Sequence, residues 1–253
     1  MLLPTFVVTL KDDLGDQRVA LEKAGIYSQV FKGVNGKKDE YLGYKDRIEP
    51  FCLSTCPKSV MGCGLSHMLL CEQIYKSGFP LALILEDDAY PMKGIDMSHE
   101  ITKVLNEVPD DWEIIKLHCD SFCKDGSNST ESTTFVPFTG STAAYIVNNR
   151  SAKKISESTL KGHIDMQHNK ECKIYKSKYN LFKTDESNST NAARKSSFFT
   201  PFFNIVAPIS SGEKTWEHLV AFKTFRIPFT NTSLTIESYI WLFLVFLIVI
   251  ILA

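Results

Sequence analysis

The stretch Leu81-Ala82-Leu83-Ile84-Leu85 carries no polar side chain, and Glu86, Asp87 and Asp88 follow it without a spacer. A short run that is apolar at every position reads as a strand buried within its sheet, because a half-exposed strand would alternate. The flanking chain supplies covering layers. TFVVTL at residues 5–10 is a β-branched run, followed by a polar turn and by DQRVALEKAGI at helical spacing, with Gly25 as its stop. SQVFKGVNG reads as a short strand, and residues 37–58 as a loop-rich stretch without clear periodicity. In GCGLSHMLLCEQIYKSG, Cys63, His67, Leu70, Cys71 and Ile74 share one helical face and Gly78 ends the helix. Beyond the acidic triplet come a helix near HEITKVLNEV, a strand WEIIKLH, a Ser/Thr/Asn-rich loop over 124–134, a strand STAAYIV and a helix from about Arg150 to Leu160. Strands alternating with helices predict an α/β fold: a mainly parallel sheet, helices on both faces, and ligands beyond the carboxyl ends of the strands.

Residues 1–233 read as one globular domain, since 253 residues at 44% apolar content bury one substantial core but not two. Lysine and arginine number 28 against 29 acidic residues, so no basic excess is available to neutralise a nucleic-acid backbone. The seven cysteines read as scattered thiols in a reducing compartment, although Cys52, Cys56, Cys119 and Cys123 also offer four thiolates to a structural zinc. The sequons at Asn128, Asn188 and Asn231 count only in a translocated chain, and the opening MLLPTFVVTLKDD lacks the layout of a secretory signal.

Residues 234–253 are expected to form a C-terminal transmembrane anchor. From Tyr239 to Ala253 there is no charge, every helical face would be apolar, and Tyr239 and Trp241 suit an interfacial belt. About twenty helical residues rise about 30 Å, enough for a hydrocarbon core. This expectation places the catalytic domain on the cytosolic side of a membrane, held by a single C-terminal pass.

Three carboxylates in a row at the end of a buried strand repel one another, so at least one pKa rises unless a cation neutralises them. Side chains two apart on an extended chain face the same way, so Glu86 and Asp88 converge while Asp87 points elsewhere. Carboxylate oxygens suit Mg²⁺ or Mn²⁺, and a nucleoside diphosphate is the natural second half of such a site. A solvated acidic turn would present the same three letters.

These residues, taken in order, resemble glycosyltransferase family 25, which includes lipooligosaccharide and procollagen galactosyltransferases. The resemblance rests on FVVTL with Arg18; on Gly62-Cys63-Gly64-Leu65-Ser66-His67; on the apolar strand ending in Glu86-Asp87-Asp88-Ala89; on the strand Trp112 to Leu117; on Thr139, Gly140, Thr142, Ala144 and Tyr145; and on Asp165. It covers about residues 5–190 and departs from the family pattern at Ser141, where a glycine is usual. It implies one nucleotide-sugar-binding domain of the glycosyltransferase A type, a UDP-sugar donor, manganese (or magnesium) as metal, and an inverting transfer to a glycan or hydroxylated acceptor. By position it implies Glu86 and Asp88 as metal ligands. Thr9, Leu10, Arg18, Glu86, Asp87 and Thr142 would bind donor, and Asp88 and Asp165 would be the catalytic residues.

An inverting transfer needs a base at the acceptor hydroxyl, and Asp165 is the first candidate, although a helix-capping aspartate would look the same. His163 and His168 are candidates to complete a metal shell. His67 reads equally as a hydrogen-bonded core histidine or a group facing the donor, and Gly62 to Ser66 as a helix N-terminus open to a phosphate. Lys116 is either an edge residue or a partner for the acidic triplet, and Asp185, Glu186 and Ser187 either border an acceptor cleft or form a surface turn. The expected activity is transfer of galactose or glucose from a UDP-sugar, in lipopolysaccharide-type glycan synthesis. Its rival is a catalytically inactive, tail-anchored interaction module with the same fold. A phosphoryl-transfer enzyme would want a GxxxxGK[ST] loop, and the chain has none.

Overall fold

A computed structural model describes residues 3–119, 123, 126, 129–136, 139–185, 223–226, 233–235 and 250. The chain divides into two compact units, residues 1–189 and 190–253. In the second, β10 (Lys223–Arg226) and β11 (Ser233–Thr235) pair antiparallel. The expected anchor lies almost entirely outside the described residues, as do the three sequons. Among the described residues no helix is long and apolar enough to cross a membrane.

The first unit opens as expected. β1 (Thr5–Thr9) leads to α1 (Asp16–Lys23), which stops before Gly25 at φ 74°, and β2 (Ser28–Lys32) follows. The stretch read as loop holds two 3₁₀ segments, Gly36–Lys38 and Glu40–Arg47, and α2 (Pro50–Thr55). Then come α3 (Lys58–Lys76), β3 (Leu81–Glu86), β4 (Ala89–Pro91), α4 (Met97–Glu107), β5 (Ile114–Lys116), β6 (Thr133–Phe135), β7 (Ala144–Asn148), α5 (Asn149–Glu157), α6 (Ile164–Glu171), β8 (Ile174–Ser177) and β9 (Phe182–Thr184).

Seven strands form one sheet in the order β2-β1-β3-β7-β5-β8-β6, and β4 pairs separately with β9. The expectation of a mainly parallel sheet needs qualification. β1 pairs β2 and β3 in parallel and β5 pairs β8 in parallel, but β7 is antiparallel to both β3 and β5, and β6 to β8. The reversal of β7 matters for function. It brings the start of β7 to the edge where β1, β3 and β5 end, with Ala144 opposite Leu85 and Tyr145 opposite Lys116.

Period-two alternation splits the strands between two cores. Phe6, Ala82, Ile84, Tyr145 and Val147 face one core with Leu65, Met68 and Ile155, whereas Val7, Leu83, Leu85, Ala144 and Ile146 face the other with Leu21, Ile101 and Val104. Two helical layers thus bury a sheet with no wet face at its centre, and Leu83 to Leu85 are at most 1% exposed.

The cysteines differ from expectation. Cys52 pairs with Cys56 and Cys119 with Cys123, at Cα separations of 4.8 and 5.8 Å, within the span a disulfide bridges. The four read as scattered thiols or a zinc set are therefore two local crosslinks; Cys63, Cys71 and Cys172 stay outside disulfides.

Candidate functional site

The acidic turn hangs from the end of β3 and is fixed from three sides. Gln17 of α1, fully buried, donates through Nε2 to the carbonyls of Glu86 (2.7 Å) and Ala89 (2.8 Å), clamping the turn at both ends. Thr9 Oγ1 donates to Asp87 Oδ2 at 2.7 Å, and Lys11 Nζ lies 3.3 Å from the same oxygen. On the third side, Glu86 Oε1 meets His67 Nε2 of α3 at 3.3 Å and accepts a hydrogen bond from Thr142. His67 is itself held through Nδ1, 2.9 Å from the Tyr145 hydroxyl.

The three carboxylates therefore occupy different environments. Burial opposes ionisation of Glu86, but His67, Thr142 and Lys116 outweigh it and hold its carboxyl below the usual carboxylate value. For Asp88 the balance is the reverse: a backbone hydrogen bond and the Lys11 charge are outweighed. Burial, then the charges of Glu86 and Asp87, push it up to about 7, and its Oδ1 is buried without a hydrogen-bond partner. A buried oxygen left unsatisfied beside two like charges is what a bound cation would relieve, and carboxylate oxygens are hard donors.

Opposite the acidic turn, the segment Thr139–Thr142 is pinned before it enters β7. Ser141 adopts φ 69°, a left-handed conformation that favours glycine, and its Oγ accepts from the Ala143 amide at 3.1 Å. Asp165, in the first turn of α6, accepts from the Ser141 amide through Oδ2 (3.2 Å) and from the Met166 amide through Oδ1 (2.8 Å). Lys116, 1% exposed, donates to the Ser141 carbonyl at 2.6 Å and lies 5.0 Å from the Tyr145 ring centroid. β5 is interior to the sheet, so the edge reading of Lys116 is excluded, and its charge helps to lower the Glu86 carboxyl while its hydrogen bond goes to Ser141.

A model of glycosyltransferase family 25 (LPS biosynthesis protein) matches residues 3–168, about two thirds of the chain and the whole of this site. The chain belongs to glycosyltransferase family 25. No curated protein sequence matches it. Solved structures with partial likeness include A197 from STIV, at 11% identity and TM-score 0.44, covering 72% of this chain and 84% of that one. A mannose-1-phosphate geranyltransferase from Thermus thermophilus matches at 9% identity and TM-score 0.42, over 73% and 76% of the two chains. A UTP-bound UGPase from Acinetobacter baumannii matches at 9% identity and TM-score 0.40, over 82% and 100%.

Within this family 25 domain the structure gathers Thr9, Glu86, Asp87, Asp88, Thr142 and Asp165 around one sheet edge. Leu10 packs beside Gly33, while Arg18 is half-exposed and lies 3.8 Å from Asp13. Glu86 turns its Oε1 toward His67 of α3 and Thr142. Among the described residues, the set of three metal-ligating groups whose ligand atoms lie within 4.8 Å of one another is Cys63, His67 and Glu86. His168 is buried against the Tyr145 ring, driven well below its ordinary pKa by burial and then by the charges of Lys116 and His67, so its imidazole is neutral. Asp185 donates its amide to the Asp88 carbonyl at 2.8 Å; Glu186 and Ser187 lie outside the described residues.

The Gly-Cys-Gly-Leu-Ser-His motif proves to be a packing device. α3 begins at Lys58, so the amides of Gly62 to Ser66 lie inside the helix and the phosphate-binding reading of its N-terminus does not hold. Ser66 Oγ instead accepts from the Val34 amide at 2.8 Å and donates to the Gly62 carbonyl at 2.6 Å. Gly64 leaves room for Leu160. Gln17 is the residue that sequence reading missed: on a polar helix it reads as surface, and only the turn's two carbonyls explain its burial. Gln17→Leu is expected to cost about 1–3 kcal/mol, since both carbonyls lose their donor. A urea melt checks this, and an unchanged midpoint would show that the clamp is idle.

Proposed function

We propose that this chain transfers a hexose, galactose or glucose, from a UDP-sugar to a hydroxyl of a glycan or another hydroxylated acceptor, with inversion and with Mn²⁺ or Mg²⁺. The observation that carries the reading is Asp88: a buried, unpartnered carboxylate oxygen at the carboxyl end of a core strand, in a domain of a glycosyltransferase family. Asp88 and Glu86 would hold the ion, which when bound compensates charge on the departing diphosphate.

The remaining steps belong to the chain's own side chains. Thr9 and Lys11 fix Asp87 beneath the turn, leaving Asp88 as the carboxylate that can respond to a ligand. Lys116, anchored on the Ser141 carbonyl, keeps positive charge behind Glu86. Asp165 receives the proton of the acceptor hydroxyl, its aim set by the Ser141 and Met166 amides. The uncharged run from Tyr239 to Ala253 supports a membrane-tethered enzyme; release of the full chain from membranes by alkaline carbonate would overturn that tether.

The test incubates the full chain in detergent with Mn²⁺ and a panel of UDP-sugars, and follows UDP release with and without acceptor sugars. Release that a chelator stops identifies donor and metal dependence together. Silence across the panel, with no UDP binding, would sink the reading in favour of an inactive interaction module.

A further inference from the structure

We infer that Cys63, His67 and Glu86 form a second cation site, selective for Zn²⁺-class ions over Mn²⁺ or Mg²⁺. Cys63 and His67 are four residues apart on α3 and therefore project from one face, toward the end of β3 where Glu86 sits. Their three ligand atoms lie within 4.8 Å of one another, and His67 Nε2 and Glu86 Oε1 are already 3.3 Å apart. A tetrahedral ion at ordinary Zn–S, Zn–N and Zn–O distances of about 2.0–2.3 Å needs only a small inward movement of Cys63.

The donor set decides the ion. A thiolate and an imidazole with one carboxylate suit a borderline-soft cation and are a poor cage for a hard one. The surroundings match as well. The Tyr145 hydroxyl, 2.9 Å from His67 Nδ1, fixes the ring so that Nε2 faces the site, the outer hydrogen bond that ligating histidines characteristically have. Cys63 and Glu86 are only partly buried, so an ion has a way in, and three protein ligands leave a fourth position for water or a substrate oxygen. Binding displaces the Cys63 thiol proton to solvent, so affinity weakens on acidification. Because Glu86 would serve both sites, an ion held here opposes hard-ion binding at Asp88. That consequence rests on the proposed function; the site itself does not.

The experiment titrates the full chain in detergent, anaerobically and without reductant so that the two disulfides stay closed, with Co²⁺ as a spectroscopic probe and then with Zn²⁺ as competitor. One equivalent of Co²⁺ is expected to give a thiolate charge-transfer band that Zn²⁺ abolishes. Cys63→Ser should lose the band and weaken Zn²⁺ binding at least about 100-fold. Glu86→Gln should keep the band while weakening binding, and Tyr145→Phe should weaken it about tenfold. No band in the wild-type chain, or a band that persists in Cys63→Ser, would overturn the site. Since the readout is binding, failure here leaves the transferase reading untouched, and failure of that reading leaves this result standing.

Discussion

Asp88→Asn is expected to lower transfer by at least about a thousandfold in kcat and, in the same protein, to stabilise the metal-free fold. The first effect follows from the proposed function, because Asn cannot supply the charge that an ion at the turn requires. The second follows from the electrostatics. Burial and the neighbouring charges raise the Asp88 pKa from 3.8 to about 7, so the folded chain binds a proton that the unfolded chain releases. Stability from this group is complete below about pH 4 and is lost as pH rises through about 7, and above that the ionised carboxylate works against folding. A three-unit shift corresponds to about 4 kcal/mol at most, and partial solvent access reduces it to on the order of 2 kcal/mol. Asn removes that penalty, so its melting temperature at about pH 8 should exceed the wild type's by about 4–8 °C. Thermal melts of both proteins without metal, between about pH 5 and about pH 8, check this: the variant's advantage over wild type should grow as pH rises. Mn²⁺ should raise the wild-type melting temperature and leave Asp88→Asn unmoved. A variant that melts below wild type at alkaline pH would show that Asp88 is not strained.

How much of this is legible beforehand depends on whether the signal is local. β1, α1, β3 and the acidic triplet announce themselves within a dozen residues, because β-branched runs, helical spacing and a glycine stop are local features. The direction of β7 is not local. STAAYIV is equally apolar whether its neighbours run with it or against it, and only the pairing of Ala144 with Leu85 decides. The same holds for Glu86. Alternation along a strand correctly separates it from Asp87, but the His67 imidazole and the Thr142 hydroxyl that turn it toward α3 come from positions 19 and 56 residues away. Ser141 is visible as a departure from the family pattern, and its positive φ shows why a glycine is usual there. The local crosslinks between Cys52 and Cys56 and between Cys119 and Cys123 are hidden by spacing that serves a zinc site as well as a disulfide.

The heaviest loss of stability is expected from Gly36→Ala, and it tests how α3 is held against the site. A Cβ on Gly36 would stand 2.5 Å from the carbonyl carbon of Lys58 and closer still to its oxygen; a Cβ on Gly62 would stand 2.6 Å from the Val34 carbonyl oxygen and 2.7 Å from the Gly36 nitrogen. These are backbone atoms on both sides, with no flexible side-chain end to swing away, so the 3₁₀ segment and the start of α3 must separate. Overpacking of that kind costs about 3 kcal/mol or more, and the melting temperature should fall by at least about 6 °C. Gly43→Ala is the control: its Cβ would meet nothing within 4 Å and the residue has no positive φ, so its stability should change by less than about 0.5 kcal/mol. The functional consequence follows from the same helix. α3 carries Cys63 and His67, and moving its first turns draws His67 away from Glu86, so the Co²⁺ band and transferase activity should both decline below the melting transition. A Gly36→Ala protein that melts with Gly43→Ala would mean that the backbone contact between Gly36 and Lys58 yields freely.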